Sequence, residues 1–244
     1  ERFMDEARLS QQLSHPGIVN VYDVQNEGDL YFLTMELLEG QDLRSYMENL
    51  KNTRQTCDVE DALEIVTQVC EALHYAHSIT VHRDIKPENI WLCSDGKVKV
   101  MDFGLARLQS ASQRSSSGAV LGTAYYMAPE QIKGRGDVDG RADQFAIGVL
   151  LYEMLSGDIP TGRLENLNSL NKAVNKKLSL AVDRLLSTKP EQRFGDMKAV
   201  IEAITNTGGF VMPSLPAKGI GIAAVILVAV LGLGGLGASG GLDS

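Results

Sequence analysis

Apolar side chains at Ala62, Ile65, Val66, Val69, Ala72, Leu73 and Ala76 recur every three or four positions, the spacing of one face of an α-helix. Asp58 and Asp61 stand where a helix N-terminus favours negative charge, so the pattern predicts a long helix over 58–76. A looser helical pattern, Phe3, Ala7, Leu9 and Leu13, opens the chain and stops at the turn sequence His15-Pro16-Gly17. The period then changes. Residues 19–24 and 31–35 are β-branched and aromatic runs separated by Asn26-Glu27-Gly28-Asp29, which predicts a hairpin. Beyond Gly40 the chain reads as mostly helical, interrupted by two short strands, Ile90-Trp91-Leu92 and Val98-Lys99-Val100, around the turn Ser94-Asp95-Gly96. An apolar helix is predicted over 143–155 and weaker amphipathic segments near 178–186 and 196–204, with no internal repeat.

The pattern fails in a different way at the far end. Residues 219–237 carry no charge, and 19 helical residues at 1.5 Å each would extend about 28 Å, close to the hydrocarbon core of a bilayer. This predicts a transmembrane helix, although Gly232, Gly234, Gly235 and Gly237 thin its second half. Every charged residue except Asp243 precedes Gly219, and the stretch 206–218, with Gly208, Gly209, Pro213 and Pro216, reads as a juxtamembrane linker before the span, leaving 238–244 as a short tail. Lys218 on the near side agrees with a cytoplasmic soluble part. The expected location is therefore a single-pass membrane protein, with the lipid bilayer as a partner of 219–237 and small residues that would permit a homodimer through the span.

Composition narrows the rest. Of 244 residues, 44% are hydrophobic and 22% charged, enough for a substantial core, and a net charge of −8 gives no basic field to attract nucleic acid. Cys57, Cys70 and Cys93 are odd in number and widely spaced, which argues against a disulfide framework or a structural zinc site and fits a reducing compartment.

The candidate chemistry is concentrated in His82-Arg83-Asp84-Ile85-Lys86-Pro87-Glu88-Asn89, between the long helix and a strand. A carboxylate there can accept a hydroxyl proton, a lysine can neutralise charge on a moving phosphoryl group, and an amide oxygen can ligate magnesium, a hard cation. Thirteen positions after Asn89 comes Asp102-Phe103-Gly104, and later Ala128-Pro129-Glu130. In order and spacing these segments resemble the eukaryotic-type Ser/Thr protein kinase family over roughly residues 1–205, in the membrane-anchored form found in bacteria.

The resemblance implies an α+β, protein-kinase-like fold: a partial N-lobe of one helix and a β-hairpin over 1–36, a mostly helical C-lobe over 37–205, and then the transmembrane helix. It implies ATP and Mg²⁺ as cofactors and protein serine or threonine hydroxyls as acceptors. Asp84 would be the catalytic base, Lys86 the phosphate-stabilising lysine typical of Ser/Thr rather than Tyr kinases, and Asn89 and Asp102 the magnesium ligands. Met35, Glu36 and Leu38 look like the hinge that receives adenine through backbone groups, with Met35 guarding the back pocket. Glu6 falls where the family keeps the helix glutamate that partners a phosphate-binding lysine. His82, Arg83, Phe103, Gly104, Glu130, Asp143 and Arg193 are implied as supports: Phe103 under the first helix, Asp143 behind the catalytic loop, Arg193 paired with Glu130. Removing one member of such a buried pair typically costs roughly 3 to 5 kcal/mol. Arg83 could hold a phosphate on the Ser-rich stretch containing Ser110, Ser112, Ser115, Ser116, Ser117 and Thr123, with Ser115 to Ser117 favoured and Thr123 expected at the substrate site.

The resemblance also has a gap. The family opens with a Gly-rich loop and a strand lysine, whereas the first lysine here is Lys51 and the glycines before residue 41 are Gly17, Gly28 and Gly40. Gly232-Leu233-Gly234-Gly235-Leu236-Gly237 spells Gly-x-Gly-x-x-Gly but lacks strand-turn-helix context. A poorly active fragment of a Ser/Thr kinase is the leading expectation, and a membrane-anchored, kinase-like scaffold without phosphoryl transfer is the alternative.

Overall fold

Helices make up most of the described residues after Gly40. In the computed structural model, which describes residues 9–27, 30–103, 124–134, 138–162, 164–206 and 227–231, the chain forms α1 (Leu43–Asn52) and then α2 (Val59–Ala76), the helix its periodicity predicts. Asp42 and Asp58 cap the two N-termini through Ser45 N and Val59 N. Ala62, Val66, Val69, Cys70, Ala72, Leu73 and Ala76 are all fully buried. Against α2 pack α4 (Arg141–Ser156) and α7 (Met197–Thr205), and α6 (Lys176–Leu185) closes the layer against α4 and α7. Two short helices, α3 (Pro129–Lys133) and α5 (Leu167–Leu170), complete the lobe. Helix α4 is buried from Ala142 to Leu155 except at Phe145, as a helix apolar nearly all round must be. Its approach to α6 depends on Gly148, where an added Cβ would stand 2.8 Å from Leu185 Cβ.

Among the described residues six strands form two antiparallel sheets. The first contains β1 (Val21–Glu27), β2 (Leu30–Met35) and β6 (Leu227–Leu231), and the second contains β3 (Gly40–Asp42), β4 (Ile90–Cys93) and β5 (Val98–Val100). The hairpin is present, but β1 begins at Val21 rather than at Val19. Ile18 and Val19 instead bridge to Val100, with Val19 N donating to Val100 O at 3.0 Å, and so tie the first sheet to the second. The sequence pattern did not predict β3. It is three residues long, and Gly40 enters it at φ 140°, where a Cβ would meet Leu92 O at 2.0 Å.

The expected transmembrane helix is not seen among the described residues. Leu227–Leu231, inside the apolar span, is an extended strand paired antiparallel with β2 from Tyr31–Leu231 to Met35–Leu227. The reason is local: Val228 and Val230 favour strand geometry, and away from lipid a ladder on the open edge of β2 satisfies their backbone groups as well as a helix would. Among the described residues no helix is long and apolar enough to cross a membrane. Residues 207–218 of the linker, the remainder of the expected span and the tail 238–244 lie outside the described residues.

Candidate active site

The catalytic loop hangs from the first turn of α4. Asp143, 1% exposed, accepts hydrogen bonds from His82 N at 3.0 Å and Arg83 N at 2.7 Å, and its Oδ2 lies 2.8 Å from His77 Nε2 at the end of α2. Arg83 is held at φ 67°, a left-handed conformation that a non-glycine residue adopts at a cost of about 1–3 kcal/mol. From the other side Gln131 Nε2, on α3, donates to Arg83 O at 2.8 Å. Buried His82 joins the loop to the strand that follows. Its Nε2–H donates to Met101 O at 2.8 Å while its Nδ1 accepts from Asp84 N at 3.2 Å, and its ring lies 4.5 Å from that of Phe103. One imidazole thus sets the backbone leading into each of the two expected acidic site residues, Asp84 and Asp102. Phe103 is buried, and its carbonyl accepts from Ser10 Oγ of the helical stretch at 9–12.

The functional groups converge around Asp84. Lys86 Nζ lies 3.0 Å from Asp84 Oδ2, and Asn89 Nδ2 donates to Asp84 O at 2.8 Å and to Oδ2 at 3.1 Å. Both partners use Oδ2, which leaves Oδ1 without a partner among the described residues. The turn Pro87–Asn89 presents Asn89, whose carbonyl accepts from Met101 N at 2.9 Å, so the amide and Asp102 are fixed relative to each other through one backbone bond. Asp102 sits at φ 59°. Its carboxyl is accessible within the cleft, yet the surrounding protein removes enough water that burial pushes its pKa up; His82 opposes the rise, Asp84 adds to it and Lys86 opposes it.

These residues fit magnesium. Asn89 binds its neighbours through the amide nitrogen, so the amide oxygen and the Asp102 carboxylate are the available hard donors, and two protein ligands suffice for a cation that takes its other ligands from phosphate and water. Among the described residues no group of three or more His, Cys, Asp or Glu could hold a metal, so the lobe offers no competing closed cage.

Behind this set the cleft ends in an apolar pocket whose lining includes Leu13, Val19, Leu33, Met35, Val100 and Phe103. At its rim the hinge begins. Glu36 N donates to Asn20 O, and the Glu36 carboxylate accepts from Asn20 N at 2.8 Å and from Lys99 Nζ at 2.5 Å. Among the described residues the Glu36 carbonyl and the Leu38 N–H have no hydrogen-bond partner. Further out, Arg193 Nη1 and Nη2 grip Glu130 at 2.6 and 2.9 Å, with the Arg193 side chain fully buried.

The structure therefore brings Asp84, Lys86 and Asn89 into contact, places Asp102 with Met35 on the adjoining pocket, and sets His82, Arg83, Phe103, Asp143, Glu130 and Arg193 behind them, while Glu36 turns its carboxylate to Asn20 and Lys99 and nothing ties Leu38 to the pocket. Glu6, Gly104, Ser110, Ser112, Ser115, Ser116, Ser117 and Thr123 lie outside the described residues. Sequence reasoning missed Gln131, His77 and Lys99. Gln131 had one signal, its place immediately after Ala128-Pro129-Glu130; the other two had none.

Residues 1–206 match the family model described as protein kinase domain. The chain belongs to that family. The chain is 34% identical over 227 residues to the tyrosine-protein kinase MasK of Myxococcus xanthus, covering 84% of this chain and 35% of MasK. It is 39% identical over 160 residues to the serine/threonine-protein kinase PrkC of Bacillus subtilis, covering 65% of this chain and 24% of PrkC. Among solved structures, the Mycobacterium tuberculosis PknI kinase domain superposes with a TM-score of 0.68 at 31% identity, over 84% of this chain and 77% of that one. The chain thus spans about a quarter to a third of the length of these two curated relatives.

Proposed function

We propose that the protein is a Ser/Thr protein kinase that transfers the γ-phosphoryl group of ATP to protein hydroxyls. The observation that carries this reading is the unengaged Oδ1 of Asp84, held beside Lys86, Asn89 and Asp102 by a loop fastened to Asp143. A serine or threonine hydroxyl brought to Asp84 gives its proton to that carboxylate as its oxygen bonds to phosphorus. The bond from phosphorus to the β–γ bridging oxygen breaks, and ADP leaves with that electron pair. Lys86, anchored on Asp84 Oδ2, offsets charge on the transferring group. Magnesium, when bound through Asn89 and Asp102, neutralises phosphate charge. Adenine is received at the Glu36 carbonyl and the Leu38 N–H.

Lys86 supports serine and threonine over tyrosine as acceptors, as does the name of PrkC, whereas MasK is named for tyrosine. Attachment to a bilayer through 219–237 is also proposed. Its support is the absence of charge over 19 residues, because within lipid an unpaired strand is excluded and the same residues satisfy their backbone as a helix. Flotation of the full-length protein with liposomes tests it. For the reaction, the full-length protein should label a generic basic protein from γ-labelled ATP, with phosphoserine and phosphothreonine after hydrolysis. Asp84→Asn should reduce labelling at least a thousandfold while leaving the fold intact; equal labelling by both proteins would remove Asp84 from its role.

A further inference from the structure

Arg44, on the first turn of α1, makes three side-chain contacts to three different parts of the C-lobe. Its Nε lies 3.0 Å from Glu88 Oε1 in the catalytic loop, its Nη1 2.7 Å from Glu153 Oε1 on α4, and its Nη2 2.7 Å from Tyr126 OH on the segment preceding Ala128. The Tyr126 hydroxyl donates in turn to Glu153 Oε2. Glu153 is 7% exposed in the last turn of a buried helix, and both its oxygens are satisfied by this pair. Burial works against the charge on Arg44, but the hydrogen bond to Glu153 and the neighbouring Tyr126, Glu153 and Glu88 hold the guanidinium well above its ordinary range.

Among the described residues the segment 124–128 is held in few other ways, chiefly at its Ala128 end, where the carbonyl accepts from Gln131 N and Ile132 N. Tyr125 is exposed, Met127 N bonds back to Ala124 O within the same turn, and at the far end Ala128 N donates to Gln131 Oε1, whose amide nitrogen reaches Arg83 O. Of this turn Tyr126 and Ala128 are buried, and Tyr126 is the larger; its hydroxyl accepts from Arg44 and donates to Glu153. Glu88 lies four residues after Asp84, between Lys86 and Asn89. One planar, five-donor side chain therefore ties the turn leading to Ala128-Pro129-Glu130 to the loop that carries the base, a geometry a lysine cannot reproduce.

We infer that Arg44 is a positioning residue that holds the turn at 124–128 against the catalytic loop, and thereby sets the binding of the protein acceptor rather than of the nucleotide. The inference rests on the phosphoryl-transfer reading above. Arg44 touches no reacting atom; it acts through Tyr126 and Glu88. A cavity lined by Arg44, Met47, Glu153 and Met154 adjoins the guanidinium, so truncating Arg44 to alanine opens a path by which a small cation can reach Glu153.

The test uses the full-length protein with Arg44→Lys, Arg44→Ala and Tyr126→Phe. KM for a peptide acceptor should rise about tenfold or more in Arg44→Lys, the factor that accompanies one lost charge-assisted hydrogen bond, while KM for ATP stays within twofold. Tyr126→Phe, which removes one hydroxyl, should shift the same constant in the same direction, and methylguanidinium ion should restore Arg44→Ala. Amide hydrogen exchange at 124–128 should accelerate at least tenfold in Arg44→Lys. Equal rises in both KM values, or unchanged exchange at 124–128, would overturn the inference. Absence of any transfer by the unsubstituted protein would sink the kinase reading, whereas the exchange measurement judges Arg44 without reference to activity.

Discussion

Substituting Asp143 by Asn changes one atom at the point from which the catalytic loop hangs. The carboxylate takes Arg83 N at Oδ1 and both His82 N and His77 Nε2 at Oδ2. An amide can present its oxygen to the Oδ2 partners, and its NH₂ group then faces Arg83 N–H across 2.7 Å, donor against donor. One charge-assisted bond is lost, about 1.5–3 kcal/mol, and a buried donor is left unmet, about 1–3 kcal/mol, for a total of about 2.5–6 kcal/mol. Part of that loss can be recovered if Arg83 leaves its left-handed φ of 67°, but the recovery comes at the expense of Asp84, the next residue. Urea denaturation followed through Trp91, the single tryptophan, reads the stability, and labelled-phosphate transfer reads the loop. The expected result is a lowered midpoint together with transfer reduced at least tenfold. A stability change under about 1 kcal/mol with unaltered transfer would show that Asp143 does not hold the loop.

Gly148→Ala should destabilise by about 1–3 kcal/mol despite alanine's better helix propensity, because the new Cβ would stand 2.8 Å from Leu185 Cβ and 3.1 Å from Leu186 Cδ2; a neutral or raised melting temperature would refute the close approach of α4 and α6. His15 should make stability sensitive to mild acid. Burial lowers its pKa below the ordinary 6.5, with Glu71 opposing and Lys99 adding, and its Nδ1 accepts from Gly17 N. The folded state therefore resists protonation, so this contribution is fully present above about pH 6.5 and is lost as the pH falls through the folded-state value. Urea midpoints between pH 7.5 and 5 should fall less steeply in His15→Gln than in the unsubstituted protein, and equal slopes would exclude the histidine as the source.

Features with short-range causes were legible in the chain. A long helix follows from apolar spacing, its start from Asp58, and the strands around Ser94-Asp95-Gly96 from two β-branched runs and a turn. The candidate set around Asp84 was readable because Asp84, Lys86 and Asn89 lie within six residues and Asp102 follows at a set interval. What only the tertiary structure decided has partners far away in the sequence. Arg44 meets Glu153 across 109 positions, Lys99 meets Glu36 across 63, and Gln131 meets Arg83 across 48. No local period encodes such pairs, since they exist once folding has brought separate elements to one surface. Residues 227–231 show the same limit from the other side: their apolar run fits a membrane helix or a sheet edge equally well, and the open backbone of β2, 192 or more residues earlier in the chain, made them a strand.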